Sequence, residues 1–198
     1  DRAVVPSTTT NLWMIWYFYV ILNLVRGNFK VLPILAVLIS LICHIHVALL
    51  PPLLAIPAAL LLAKKLPSIK QTSFFLVTLL IISSPLFIFE IKHHFSQTFS
   101  LIHNLSIDQG GGKGLEKLNL VLIYVGRNIT RLFLYPQQVP EASWRAWFFL
   151  ILLPILFFIR KKILSVKEVL VIFIWIGTVI GFYTFSSTII SEYYFTIL

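Results

Sequence analysis

The sequence predicts an all-α, polytopic transmembrane helical protein with about six spans and an extracytoplasmic loop containing interfacial helices. Three observations predict it. Of 198 residues, 59% are hydrophobic and only 12% charged, whereas a soluble domain carries about 25% charged residues. The apolar residues fall in long runs without sustained period-two alternation, which argues for helices over strands. The short loops between those runs are basic, the pattern that orients a chain in a bilayer.

The apolar runs cover about 11–25, 31–48, 49–63, 72–91, 146–159 and 169–186. A helix needs about 20 residues to cross a hydrocarbon core. Several runs are shorter, so their ends must extend into flanking polar residues or the span must differ in tilt. The second and third are nearly continuous and break at Pro51-Pro52, where two backbone donors are missing and a turn or helix restart is favoured.

With residue 1 placed outside and one crossing per run, Arg26, Lys30, Lys64, Lys65, Lys70, Arg160, Lys161, Lys162 and Lys167 fall inside. Of the seven acids only Glu168 joins them; Asp1, Glu90, Asp108, Glu116, Glu141 and Glu192 fall outside. All three basic loops agree on one topology. It leaves the stretch 92–145 outside, too long for an ordinary connection. Within that stretch Phe95, Phe99, Ile102 and Leu105 or Ser106 keep helical spacing, opposite Ser96, Gln97, Ser100 and His103. This predicts an interfacial helix. After a hinge at 109–114, Leu115, Leu118, Leu122, Val125, Ile129 and Leu132 form the apolar stripe of a second helix.

The second helix places Lys113, Lys117, Tyr124, Arg127, Asn128 and Arg131 on its polar side. Arg127 and Arg131, four residues apart, point the same way and offer planar forks of donors suited to a phosphate. The bland reading is a solvated face that meets anionic headgroups without specificity. Glu90, Lys92, His93 and His94 cluster where a span leaves the membrane. Charge at that boundary needs a reason: Glu90 as a proton acceptor or sugar-hydroxyl ligand, Lys92 and a histidine as phosphate ligands, or ordinary anchoring of a helix end.

Other features carry less. The net charge of +9 sits mainly in orienting loops, and no nucleic-acid recognition motif accompanies it, so nucleic acid is not an expected partner. The single cysteine, Cys43, cannot form an intrachain disulfide. His44 and His46 face about 200° apart on a helix and are poor joint ligands. His93, His94 and His103 do not converge on one face, so no metal site is assigned. Gly110 to Gly114 lacks the spacing of a phosphate-binding loop. The sequons at Asn104 and Asn128 bear on the protein only in a eukaryotic secretory pathway.

The stretch Ser84-Pro85-Leu86-Phe87-Ile88-Phe89-Glu90-Ile91-Lys92-His93-His94-Phe95 resembles the "SP…F-(D/E)-x-(R/K)-H-x-F" segment of bacterial glycosyltransferases. These belong to the GT-C superfamily, near the protein O-mannosyltransferase and aminoarabinose-transferase branch. Asp1 to Ser7 resembles their "SR…P-N" segment, although Ser7 stands where relatives often carry Asn or Asp. His44-Ile45-His46 followed by Leu50-Pro51 resembles their "(Q/L)-H-(Y/H)-x…LP" stretch, and Glu192-Tyr193-Tyr194 a "YY" pair opening a later span. The order of the pieces matches as well.

The resemblance implies a glycosyltransferase in the cell envelope, multi-pass in a bacterial plasma membrane. It would move a sugar from a polyprenyl-phosphate donor to a lipid, glycan or protein acceptor on the extracytoplasmic face. The family's catalytic acid follows its first transmembrane helix and would precede Asp1, so the chain is expected to be a fragment that is inactive alone. Substrate-binding residues are then expected among Glu90, Lys92, His93, His94, Arg127, Arg131 and Tyr193. The acceptor hydroxyl needs a base. The leaving phosphate needs cations, or a divalent metal in the full-length enzyme, to absorb developing charge. The alternative reading is a membrane transporter or lipid flippase component, which needs polar groups at mid-membrane on broken helices.

Overall fold

A computed structural model describes residues 7–45, 49–106, 111–112, 114–133, 160 and 165–186. The described residues are helical and contain no strand. Seven α-helices are present among them: α1 Ser7–Val25, α2 Leu32–Ile45, α3 Ala55–Ala63, α4 Ile69–Lys92, α5 Ser96–Ser106, α6 Leu115–Phe133 and α7 Val166–Phe185. Short 3-10 turns at Phe29–Val31 and Pro51–Leu54 lead into α2 and α3. The chain divides into two compact units, Asp1–Ile107 and Asp108–Leu198.

Two helices, α4 and α7, are long and apolar enough to cross a membrane. At 24 and 20 residues they reach about 36 and 30 Å at 1.5 Å per residue. The apolar part of α1 (Thr9–Val25), α2 and α3 are shorter; α2 and α3 reach only about 21 and 14 Å. The expected run 49–63 is therefore a 3-10 turn followed by the short α3, and the last three residues of the expected run 31–48 lie outside the described residues. The expected run 146–159 lies outside the described residues.

In the first unit α2 packs against α4, and α1 against both α2 and α3. Trp13 stacks on Tyr17 with ring centroids 4.7 Å apart. Both rings then hydrogen-bond to backbone: Trp13 Nε1 donates to the Leu38 carbonyl at 2.8 Å and the Tyr17 hydroxyl to the Pro52 carbonyl at 2.6 Å. The second bond ties α1 to the turn at Pro51-Pro52. Irregular backbone away from water needs partners supplied by protein, and buried Tyr17 supplies one from 35 residues away. Between α2 and α4, Ser83 Oγ donates to Ser40 Oγ at 2.9 Å, and Ser40 Oγ donates to the Ala36 carbonyl at 2.9 Å. Both serines are buried.

Local sequence sets the ends. Gly27 (φ +75°) closes α1: its N–H bonds the Leu24 carbonyl and the Asn28 N–H bonds the Asn23 carbonyl. This paired reverse turn needs a left-handed residue, which glycine supplies without a Cβ penalty. Both long apolar helices start with reciprocal caps, Ser68 with Gln71 and Ser165 with Glu168. Inside α4, Pro85 cannot donate to the Ile81 carbonyl; the Ser84 hydroxyl takes that acceptor at 2.7 Å.

In the second unit α6 packs against α7, with Val121 and Val125 buried on α6 and Val171, Trp175, Val179 and Tyr183 buried on α7. The start of α6 meets the end of α7. The Gly114 N–H donates to the Thr184 carbonyl at 3.0 Å, and Lys117 Nζ to the Ser186 carbonyl. An ammonium group beside the last carbonyls of a helix complements their partial negative charge.

This placement corrects two expectations. Lys117, assigned to a polar outer side, is only 3% exposed, and Leu115, assigned to the apolar stripe, is 84% exposed. The buried face turns through Lys117, Val121 and Val125. The lysine stem is apolar enough to line a packed face while its tip finds a carbonyl.

Candidate functional site

The sequence places its charged cluster at the end of α4, and the geometry there follows from a tight reversal. His93 is the C-cap of α4, and His94 and Phe95 both have positive φ, +53° and +58°. Left-handed backbone is uncommon for residues with a Cβ, and two in succession turn the chain sharply into α5. The Phe95 N–H reaches the Glu90 carbonyl at 2.7 Å and the Ser96 N–H the His93 carbonyl at 3.1 Å.

The reversal brings Glu90 to the start of α5. Glu90 Oε2 accepts from the Thr98 N–H at 3.1 Å and from Thr98 Oγ1 at 2.6 Å. The first turn of a helix has unsatisfied N–H groups and a partial positive charge. Glu90 therefore caps α5 from the preceding helix. It is 5% exposed, and its Oε1 has no hydrogen-bond partner.

Around this carboxylate the basic residues are open. Lys92, His93 and His94 are all exposed, and the His93 ring lies 4.2 Å from that of Phe89. The corner thus combines one buried carboxylate with three accessible groups able to donate to an anion. Among the described residues no set of three His, Cys, Asp or Glu side chains could hold a metal ion.

The remaining expected site residues fall elsewhere. Arg127 is half-buried on α6. Arg131 lies one turn further along the same helix, and its side chain is outside the described residues. Tyr193, Lys113 and His46 are also outside them. His44 is exposed in the last turn of α2. So Glu90, Lys92, His93 and His94 come together at one corner, while Arg127 and Arg131 share a helix in the second unit.

Thr98 and Tyr17 escaped the sequence reading. Thr98 sits eight residues from Glu90, about 12 Å away along a continuous helix, and only the double left-handed turn brings it close. A polar N-terminal residue two positions into an amphipathic helix was its only signal. Compared with known proteins, the chain matches no family model, no curated protein and no solved structure.

Proposed function

We propose that this chain is the membrane-embedded part of a glycosyltransferase, multi-pass in a bacterial plasma membrane. In this reading it uses a polyprenyl-phosphate sugar donor at the extracytoplasmic surface and a lipid, glycan or protein acceptor. The membrane placement rests on α4. A core helix of a soluble protein would be mostly buried, yet only 6% of the most apolar stretch of α4 is buried. Phe74, Leu76, Val77, Leu80, Ile81, Phe87, Ile88 and Ile91 are exposed, which is stable in lipid and not in water.

The observation that carries the enzymatic reading is the corner at the end of this helix. Lys92, His93 and His94 are exposed there around the capping carboxylate of Glu90, within the segment that resembles the glycosyltransferase motif. Cations at the membrane surface suit a lipid-linked phosphate. Arg127 and Arg131 of the second unit are assigned the same type of ligand, and Tyr193 a place among the substrate contacts.

The test is donor-dependent sugar transfer by the full-length protein carrying Lys92→Ala, Arg127→Ala or Arg131→Ala, measured at two ionic strengths. Loss of a charge-assisted hydrogen bond removes roughly 1.5–3 kcal/mol, or about tenfold to hundredfold in donor use. Each variant should lose activity individually, and Arg127→Lys should recover only part of it. Near-normal transfer in all three at both ionic strengths would remove the phosphate assignment.

A further inference from the structure

The α4–α5 corner carries a second role that concerns the lipid itself. In α5, Phe99 and Ile102 share one face at i and i+3 and are 64 and 57% exposed, and Phe95 in the turn just before the helix is 47% exposed. Ser96, Gln97, Ser100 and His103 occupy the other side. Among the described residues nothing covers the apolar face, and its position indicates what does. Helix α5 begins four residues after the last residue of α4, so it starts where the long apolar helix runs out. Phe87, Ile88 and Ile91, in the last turns of α4, are exposed as well.

We infer that α5 lies in the bilayer interface with Phe95, Phe99 and Ile102 among the upper acyl chains, and that Glu90 is the positioning residue that holds it there. The inference rests on the membrane placement proposed above. An amphipathic helix buries its apolar face about 5–10 Å into the headgroup boundary. A helix of 11 residues is short enough to be marginal by itself. Its orientation therefore depends on its connection. The left-handed pair His94–Phe95 sets the angle, and the two bonds from Thr98 to Glu90 Oε2 hold the first turn against α4.

The partner is thus a lipid surface, and exposed Lys92, His93 and His94 suit its anionic headgroups. The Glu90 carboxylate serves the corner through one oxygen by fixing the helix that meets lipid. Removal of that acceptor should free α5 without disturbing α4.

An environment-sensitive fluorophore attached to single cysteines tests this in the full chain reconstituted in vesicles of zwitterionic and anionic lipid. The background is Cys43→Ala, which removes the only native cysteine. Probes go at Leu80→Cys in α4, Phe99→Cys on the apolar face of α5 and Gln97→Cys on its polar side. The expected result is quenching at 80 by deep lipid spin labels, blue-shifted emission and quenching at 99 by shallow ones, and quenching at 97 by aqueous iodide.

Iodide access at 80 would sink the membrane placement and this inference with it. Lipid quenching at 80 together with equal iodide access at 97 and 99 would overturn the inference alone. Glu90→Ala should shift the probe at 99 toward iodide and leave that at 80 unchanged. Glu90→Gln, which keeps an acceptor oxygen, should restore lipid contact at 99. If Glu90→Ala does not insert, Thr98→Val gives the same readout. Unchanged lipid contact at 99 in these variants would overturn the role of Glu90.

Discussion

Helices α4 and α6 solve opposite problems with similar lengths. Helix α4 is apolar on all sides and leaves that surface open. Helix α6 carries its charged residues, Glu116, Lys117, Arg127 and Arg131, on one side and buries a narrow strip containing Val121, Val125 and the stem of Lys117. The difference lies in the solvent each requires. A helix that is apolar all round needs lipid or a protein core, and one with a single apolar strip needs one neighbour. For α6 that neighbour is α7.

The sharpest way to break this comparison is to place a charge on each helix. Leu80 is 59% exposed. In water, Leu80→Arg would be a surface change worth within about 0.5 kcal/mol. In lipid at mid-helix it costs roughly 2.5–3.5 kcal/mol. Insertion measured by carbonate extraction or glycosylation mapping should fall strongly for Leu80→Arg. It should be unaffected by Asn119→Arg on the exposed side of α6. Equal tolerance of both would place α4 outside the hydrocarbon.

The second effect sharpens the picture of α6. Lys117→Met keeps the apolar stem and removes the donor to the Ser186 carbonyl. The Ser186 carbonyl is only part-buried, so the loss is that of a net hydrogen bond, about 0.5–1.5 kcal/mol. Unfolding followed at Trp175 should show that loss, and Glu116→Gln on the exposed side should show almost none. Similar small effects from both would put the lysine on a solvated face.

These cases show what the sequence could and could not carry. The period of α5 and α6 was legible because an amphipathic helix writes its faces in its spacing. The side taken by Lys117 was not, because charge argues for exposure while the four-carbon stem permits burial. The Pro51-Pro52 break was legible from missing donors, but its bond to Tyr17 depends on a contact 35 residues away. Glu90 stood out as a charge at a membrane boundary. Its capping of α5 did not, because it requires two consecutive left-handed residues at His94 and Phe95. Division of the 49–63 run into a 3-10 turn and the short α3 was also hidden, since composition gives apolar length and not the pattern of helical bonds.

Smaller effects refine the helix starts and contacts. Ser68→Ala removes one half of the reciprocal cap on α4 and should cost about 1 kcal/mol, read as a lowered midpoint of thermal unfolding in detergent. Ser83→Ala removes the bond to Ser40. A hydrogen bond between helices in a membrane averages about 0.6 kcal/mol, so a double-mutant cycle with Ser40→Ala should return a coupling of that order. A coupling of several kcal/mol would assign the pair a larger part in holding α2 to α4.

The central proposal is that the chain is threaded through a bilayer with its basic loops on one side and the stretch 92–145 on the other. Single cysteines at Lys65, Lys162 and Gly111, in a Cys43→Ala background, test it with a membrane-impermeant thiol reagent on intact cells. The account predicts labelling at Gly111 and protection at Lys65 and Lys162 until the membrane is permeabilised. Labelling at Lys65 without labelling at Gly111 would invert the topology, and equal labelling at all three would contradict a membrane-spanning chain.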